Sequence, residues 1–301
     1  MNGGYQLVQL ASGAYSLRSL AHGETLHPII GPVAEAEALY VQQLQLRERL
    51  KEQAGEFVIW DVGLGAAANA LTILCATRDL ACPLRLVSFD CTTEPLTFAL
   101  QHSAALAYFR GYEAQTRTLL DQHAIRFADG AREVHWQFHL GDFPEWLAQS
   151  LEPPALNRRM RGRESQRAEP EFVAPPPHAI LFDPFSPARN PAMWTLPLFA
   201  NLFQRLDPQR PCALPTYSRS TTTRVTLLRA GFFVGVGHAI GAKEETTIAA
   251  NTLELLTQPL GRRWLDRARR SHSAEPIMDG VYRAAPLSAI SWEKLQAHPQ
   301  F

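Results

Sequence analysis

A chain of 301 residues with 46% hydrophobic and 19% charged side chains has the material for a sizeable core, in one large domain or two small ones. Its 29 Lys and Arg balance 29 Asp and Glu, which excludes a global basic footprint for nucleic acid. No apolar run approaches the ~20 residues that cross a bilayer, so no membrane partner is expected. The first residues, Met1 to Gln6, lack the basic flank and apolar core of a signal peptide. Cys75, Cys82, Cys91 and Cys212 have no Cys-x-x-Cys spacing and read as buried thiols rather than a metal site. The location expected from this is cytoplasmic.

Tyr5 to Leu20 alternates fairly well around Ala11-Ser-Gly-Ala14 and predicts a β-hairpin. Gly31-Pro32 then opens a helical pattern that runs through Lys51, with proline in the first turn. From Glu56 strands and helices alternate. The strand candidates are 57–61, 84–90, 134–140, 178–183, 211–217, 232–238 and 246–250; the helical patterns are 67–78, 94–110, 143–151, 191–206 and 219–230. This is an α/β pattern, a mostly parallel sheet covered on both faces. The short link Ala239–Glu245 predicts a final antiparallel strand at the sheet edge. Residues 152–177, rich in Pro, Arg and Glu, read as a long mobile loop inserted between the third and fourth strands. The domain reading is 1–55 as a hairpin-and-helix extension, 56–253 as the α/β domain, and 254–301 as a basic helix with an irregular tail.

The turn Asp61-Val-Gly-Leu-Gly-Ala-Ala-Ala-Asn69 joins the first sheet strand to its helix. Gly63 and Gly65 let backbone approach a ligand where side chains would block it, and the helix start offers free N–H groups. Asp61 would repel a pyrophosphate but suits an ammonium or a ribose, and S-adenosylmethionine carries both. Asp90 ends the second strand about 25–30 residues later, close to the spacing of a ribose-binding carboxylate; it could equally cap the next helix. Asp142, in Gly141-Asp142-Phe143, could accept from an adenine amino group or cap helix 143–151.

Asp183-Pro-Phe-Ser-Pro187 is the sharpest signal. A carboxylate leaves a strand and enters a turn stiffened by Pro184 and Pro187, which supply no donors and leave carbonyls free and rigid. Phe185 adds an apolar wall. Acceptors and one aromatic face suit an amine. Gly241-Ala-Lys243-Glu-Glu245 either binds substrate or pairs on the surface. Arginines 158, 159, 161, 163 and 167, and 262, 263, 267, 269 and 270, are either phosphate contacts or solvated surface.

The order of these acid-tipped strands resembles the class I S-adenosylmethionine-dependent methyltransferase fold: seven strands, the last antiparallel. More narrowly, Asp183-Pro-Phe-Ser-Pro-Ala-Arg-Asn190-Pro-Ala-Met-Trp194 resembles the D-G/P-F-A/S-P-x-x-N-P-x-x-W signature of the MnmC methyltransferase domain. Gly63 to Asn69 resembles its glycine loop, with Ala67 in place of a glycine. Thr216-Tyr-Ser218 with Arg224 and Ala230-Gly-Phe232, and Gly241-Ala-Lys243-Glu-Glu245, resemble its later motifs. The resemblance covers roughly residues 15 to 275. It implies methylation of the amine of 5-aminomethyl-(2-thio)uridine at the tRNA wobble position, in a stand-alone form to which a separate enzyme supplies the aminomethyl group. It implies Asp183, Pro184 and Phe185 as catalytic residues, and Asp61, Gly63, Gly65, Asn69, Asp90 and Asp142 at the cofactor. Lys243, Glu245, Arg224 and Trp194 would be at the substrate, with the tRNA anticodon arm as partner. An N-methyltransferase or aminopropyltransferase for a small amine, and a non-catalytic RNA-binding module on a vestigial cofactor fold, are the alternatives.

Overall fold

The computed structural model describes residues 4–151, 174–241 and 244–301. An antiparallel hairpin of β1 (Tyr5–Gln9) and β2 (Tyr15–Ser19) comes first. The pattern from Pro32 to Lys51, predicted as one helix, is three pieces: α1 (Pro32–Ala36), a π-helical stretch (Glu37–Gln42) and α2 (Leu46–Glu52). Widening to the π form brings Leu39, Tyr40 and Val41 into the core together, and Gln45 in the left-handed region (φ 49°) redirects the chain.

The main sheet has eight strands: β3 (Phe57–Val62), β4 (Leu84–Asp90), β5 (Ala124–Asp129), β6 (Arg132–Leu140), β7 (Ala179–Phe182), β8 (Ala213–Thr216), β9 (Phe233–Gly237) and β10 (Thr246–Ala250). Their order is β5-β6-β4-β3-β7-β8-β10-β9. The β6, β4, β3, β7 and β8 strands run parallel, and β10 is antiparallel to both β8 and β9. All seven predicted strands are present, with two corrections. The final strand β10 is wedged between β8 and β9 rather than lying at the edge. An unpredicted strand, β5, pairs antiparallel with β6 and forms the opposite edge. Half-exposed at most of its positions, β5 carries little apolar signal, yet the two-residue link Gly130-Ala131 after Asp129 is a hairpin cue.

The helices packed on this sheet are α3 (Ala68–Ala76), α4 (Glu94–Gln101), α5 (Glu113–Gln122), α6 (Phe143–Ser150), α7 (Leu196–Arg205), α8 (Thr221–Arg229), α9 (Arg262–Arg269) and α10 (Ala289–Gln296). The pattern predicted as helical over 94–110 stops at Gln101. The unpredicted α5 follows; it buries only Thr116 and Leu119, too little to show a periodic stripe. The tail predicted as irregular contains α10, capped by the Ser288 side chain.

Strand β3 is buried at every position, as central parallel strands are. Phe57 and Ile59 pack on one face with Tyr40 and Leu71, while Val58, Trp60 and Val62 pack on the other with Trp194 and Phe199. Tyr5, Leu17 and Leu44 belong to the first of these clusters, so the N-terminal hairpin and helices are built into the core. Each such side chain withdrawn from water is worth roughly 1.5–3 kcal/mol. This burial holds the connection from β2 to α1 over the carboxyl ends of β3 and β7.

Candidate active site

At the end of β3 the chain turns through Gly63 (φ 94°), Gly65 (φ 52°) and Ala67 (φ 60°) before entering α3. The Gly63 and Leu64 N–H groups both donate to the Phe89 carbonyl, at 3.0 and 3.1 Å. The Gly65 N–H donates to Asp90 Oδ2 at 2.8 Å, and the Thr92 N–H donates to Oδ1 at 3.2 Å. The first loop is thereby fixed to the end of β4. Burial raises the Asp90 pKa, and these backbone donors work against the rise.

Asp183 follows β7, with its N–H donating to the Val62 carbonyl at 3.0 Å. Its Oδ2 accepts from Asn69 Nδ2 at 2.8 Å, which ties α3 to the fourth-strand turn. A Cβ on Gly63 would lie 3.0 Å from the Asp183 carbonyl oxygen, so the absence of a side chain there sets how closely the two turns approach.

The carbonyls of the turn after Asp183 are not free. Pro184 O accepts from Tyr217 Oη at 2.9 Å, and Phe185 O accepts from Trp194 Nε1 at 2.9 Å. Ser186 O accepts from the N–H groups of Arg189 and Asn190, both at 2.8 Å. The carbonyl acceptors predicted for a substrate thus already each hold a donor of the fold. Trp194 sits beneath the turn, 1% exposed, and supports it rather than facing a ligand.

A wall that the sequence reading missed comes from the segment after β2. His22 stacks on Phe185 with ring centroids 4.0 Å apart. Glu24 accepts from both the N–H and the hydroxyl of Ser186. His27, itself left-handed at φ 50°, lies with Nε2 3.6 Å from Asp183 Oδ2 and Nδ1 3.7 Å from Glu35 Oε2. Glu35 is anchored by the N–H groups of Ile29 and Ile30, at 2.9 and 3.3 Å. Burial alone would depress the His27 pKa, but Asp183 and Glu35, with Asp61 further off, outweigh it and raise it. Burial likewise would raise the Glu35 pKa, and His27 and the two backbone donors turn it downward.

Two cavities meet here. One is bounded by Tyr5, Gly63, Gly65, Asn69, Asp90 and Asp142. The other is bounded by Glu24, Glu35, Ser186 and Tyr217. Leu26, His27, Asp183, Pro184 and Phe185 line both.

The remaining sequence-predicted residues fall in different places. Asp142 lines the first cavity and also caps α6, its Oδ1 accepting from the Glu145 N–H at 2.8 Å. Asp61 does not line it. Asp61 is buried under the loop, with Oδ2 accepting from Ser88 Oγ at 2.9 Å; burial pushes its pKa up to about 7, with Ser88 acting against the rise. Arg224 is buried between α8 and β10, donating to Thr247 Oγ1 (3.0 Å), Glu245 Oε1 (3.1 Å) and the Thr246 carbonyl (2.7 Å). Arg224 and Glu245 therefore pair with each other, and neither lines the two cavities. Lys243 and the arginines at 158–167 lie outside the described residues. In α9, Trp264, Leu265 and Ala268 face inward, and its arginines are exposed, Arg269 lying over the Trp292 ring.

A family described as S-adenosyl-L-methionine-dependent methyltransferase matches residues 173–252, which include the Asp183 turn. The chain is 26% identical over 294 residues to the tRNA 5-methylaminomethyl-2-thiouridine biosynthesis bifunctional protein MnmC of Stutzerimonas stutzeri, covering 91% of this chain and 40% of that protein. It is 29% identical over 234 residues to the protein of the same name from Pseudomonas savastanoi pv. phaseolicola, covering 71% and 31%. The chain thus spans about 40% of the length of the first of these relatives. Among solved structures, MNMC2 from Aquifex aeolicus superposes with a TM-score of 0.66 at 22% identity, over 92% of this chain and 79% of that one. A spermidine synthase superposes with a TM-score of 0.50 at 9% identity, over 97% and 85%. The architecture is that of the class I methyltransferases, with one antiparallel strand added at the β6 edge.

Proposed function

We propose that this chain is an S-adenosylmethionine-dependent N-methyltransferase that converts 5-aminomethyl-(2-thio)uridine at the tRNA wobble position to the 5-methylaminomethyl nucleoside. The observation that carries the reading is the junction of the two cavities at Asp183. A glycine-turn cavity with a ribose-type acid shares its Asp183 wall with a second chamber lined by carboxylates. The bifunctional MnmC relatives, named for 5-methylaminomethyl-2-thiouridine biosynthesis, support the choice of amine.

The residues of the first cavity fit S-adenosylmethionine. Asp90 would take the ribose hydroxyls. One buried acceptor on the cavity wall, Asn69 Oδ1, has no hydrogen-bond partner among the described residues, as suits an ammonium-bearing ligand. The Gly63–Gly65 turn leaves the backbone bare where a ligand would lie against it. When bound, this cofactor supplies an electrophilic methyl carbon on a sulfonium.

The chain's own residues do the rest. Asp183 accepts N–H hydrogens of the amine and aims its lone pair. Asn69, Tyr217 and Trp194 hold the turn that carries Asp183, so that little reorganisation is left for the reaction. Positioning of this kind is worth up to roughly 7–11 kcal/mol. The wobble base must leave the anticodon stack to reach the chamber. The exposed arginines of α9 are the surface we assign to anticodon-arm phosphates. A separate enzyme would supply the aminomethyl group.

Three carboxylates around one chamber also suit a small polyamine, and aminopropyl or methyl transfer to such an amine is the second reading. Glu24 and Glu35 are, however, already held by donors of the fold. The test is incubation with labelled cofactor and an anticodon stem-loop RNA bearing 5-aminomethyluridine, alongside free polyamines, with nucleoside identification. The 5-methylaminomethyl nucleoside is the expected product; label on the free amine alone would reject the RNA reading.

A further inference from the structure

We propose that His27, backed by Glu35, is the base that removes the proton from the incoming ammonium group before methyl transfer. The inference rests on the amine-methylating reading above and adds to it a residue of the N-terminal segment. An alkyl amine reaches the protein protonated, and an ammonium has no lone pair with which to attack. Something must take that proton once the amine has entered the chamber.

Asp183 is poorly matched to this task. A carboxylate lies roughly six pK units below an alkyl ammonium, an imidazole roughly four. His27 is the imidazole on the wall common to both cavities, and its Nε2 is 3.6 Å from the carboxylate that would receive the amine. The side chain is 11% exposed. Its left-handed backbone at φ 50° is an unusual conformation for a residue other than glycine, of the kind found where a side chain must be aimed. Glu35, on α1, faces the other ring nitrogen at 3.7 Å, and its two backbone donors hold it in place.

The step balances. The substrate N–H bond breaks, its electron pair stays on nitrogen as the lone pair, and the proton arrives on neutral His27 Nε2. Glu35 stabilises the resulting imidazolium. The proton leaves to solvent after the product departs. The charged and titratable groups around His27 are Asp183 after β7, Glu35 on α1 and Asp61 on β3, with Tyr40 and Tyr217 beside Asp183. The carboxylates raise the imidazole's basicity against the opposing effect of burial, bringing it closer to that of the amine.

The test uses the full chain, aminomethyluridine-bearing stem-loop RNA and saturating methyl donor, with single-turnover rates followed across pH. His27→Gln is expected to lose roughly 10²–10⁴-fold near neutral pH. The deficit should shrink as the pH nears the amine's own pKa, roughly 10 by analogy with lysine, because the amine then arrives without its proton. Glu35→Gln keeps an oxygen for Ile29 and Ile30 but lowers the basicity of His27, so its acid limb should move to lower pH. An NMR titration of the histidine ring protons, without donor or RNA, gives a readout independent of turnover. The His27 midpoint should lie above roughly 6.5 and fall in Glu35→Gln. A deficit that is the same at every pH, or a His27 midpoint below the ordinary value, would overturn the proposal. A wild-type protein that methylates no amine would instead overturn the reading on which it rests.

Discussion

Gly63→Ala tests whether the approach of the first loop to the fourth-strand turn shapes the site. The backbone there has φ 94°, outside the region comfortable for an L-residue. A new Cβ would lie 3.0 Å from the Asp183 carbonyl oxygen, 3.1 Å from its carbon and 3.3 Å from Pro184 N. All three are backbone atoms that no rotamer change can move aside. The left-handed conformation costs ~1–2 kcal/mol and overpacking another ~1–3, for a total of ~2–5 kcal/mol. Gly65→Ala is the control. It also sits at positive φ (52°), but its Cβ would meet only Gly63 O and Leu26 Cδ1, each at 3.8 Å. Its cost is the backbone part alone, ~1–2 kcal/mol. Urea unfolding of both variants gives the comparison, and methyl transfer by Gly63→Ala should fall further than its stability implies, because the strain is relieved by displacing Asp183. Equal losses of stability in the two variants would refute the reasoning.

Three further outcomes follow from particular contacts. Arg224→Met should cost ~3 kcal/mol, since it strips a buried guanidinium from Thr246, Thr247 and Glu245, while leaving RNA affinity unchanged in a binding titration. Ala67→Gly should be within ~1 kcal/mol of neutral by urea unfolding. Release from the left-handed conformation gains ~1–2 kcal/mol, while the buried methyl loses ~0.8 and chain entropy ~0.5–1; a loss above ~2 would mean packing dominates. His178 accepts from the Val58 N–H at 2.9 Å and is pushed down to about 4 by burial, with Arg210 and Arg49 adding to the effect. Its folded pKa is thus below the unfolded one. Its contribution is present above pH ~6.5 and is lost as the pH falls towards 4, on the order of 1–2 kcal/mol after solvent screening. His178→Phe, measured by denaturant unfolding at both ends of that window, should flatten this part of the pH dependence.

Much of the sheet was legible because buried parallel strands are continuous apolar runs bounded by glycine, proline and acid. Phe57 to Val62, Leu84 to Asp90 and Ala179 to Phe182 are of this kind. What escaped carried weak local signals. Strand β5 shows its edge to water, α5 buries two residues, and the break at Gln45 depends on how Leu39 to Val41 pack rather than on any proline or glycine. The position of β10 between β8 and β9 is a matter of topology, and the short link Ala239–Glu245 is compatible with either neighbour.

The site divides along the same physical line. Gly63, Gly65, Asp90 and Asp183 are legible because each stands at or just past a strand end, where the fold itself delivers residues to a ligand, and Asn69 because it opens the helix that follows the first turn. Arg224 and Trp194 match motifs yet serve the scaffold, one fastening α8 to β10 and the other supporting the Phe185 carbonyl. Glu24, His27 and Glu35 gave no such cue, because nothing local distinguishes them from solvated loop and helix residues. They line the chamber beside Asp183 because Tyr5, Leu17, Tyr40 and Leu44 are buried in one core with residues of β3 and α3, which lays the β2–α1 connection across the carboxyl ends of the sheet. The chamber that receives the amine is therefore coupled to the packing of the N-terminal hairpin. A cavity made there, as by Leu17→Ala, should lower turnover through misplacement of His27 more than it weakens cofactor binding at Asp90, whose carboxylate is held by the Gly65 and Thr92 N–H groups. Calorimetry with S-adenosylmethionine and single-turnover rates on the same variant would measure the two effects separately. Parallel losses in both would show that the hairpin serves the fold as a whole and not the amine chamber in particular.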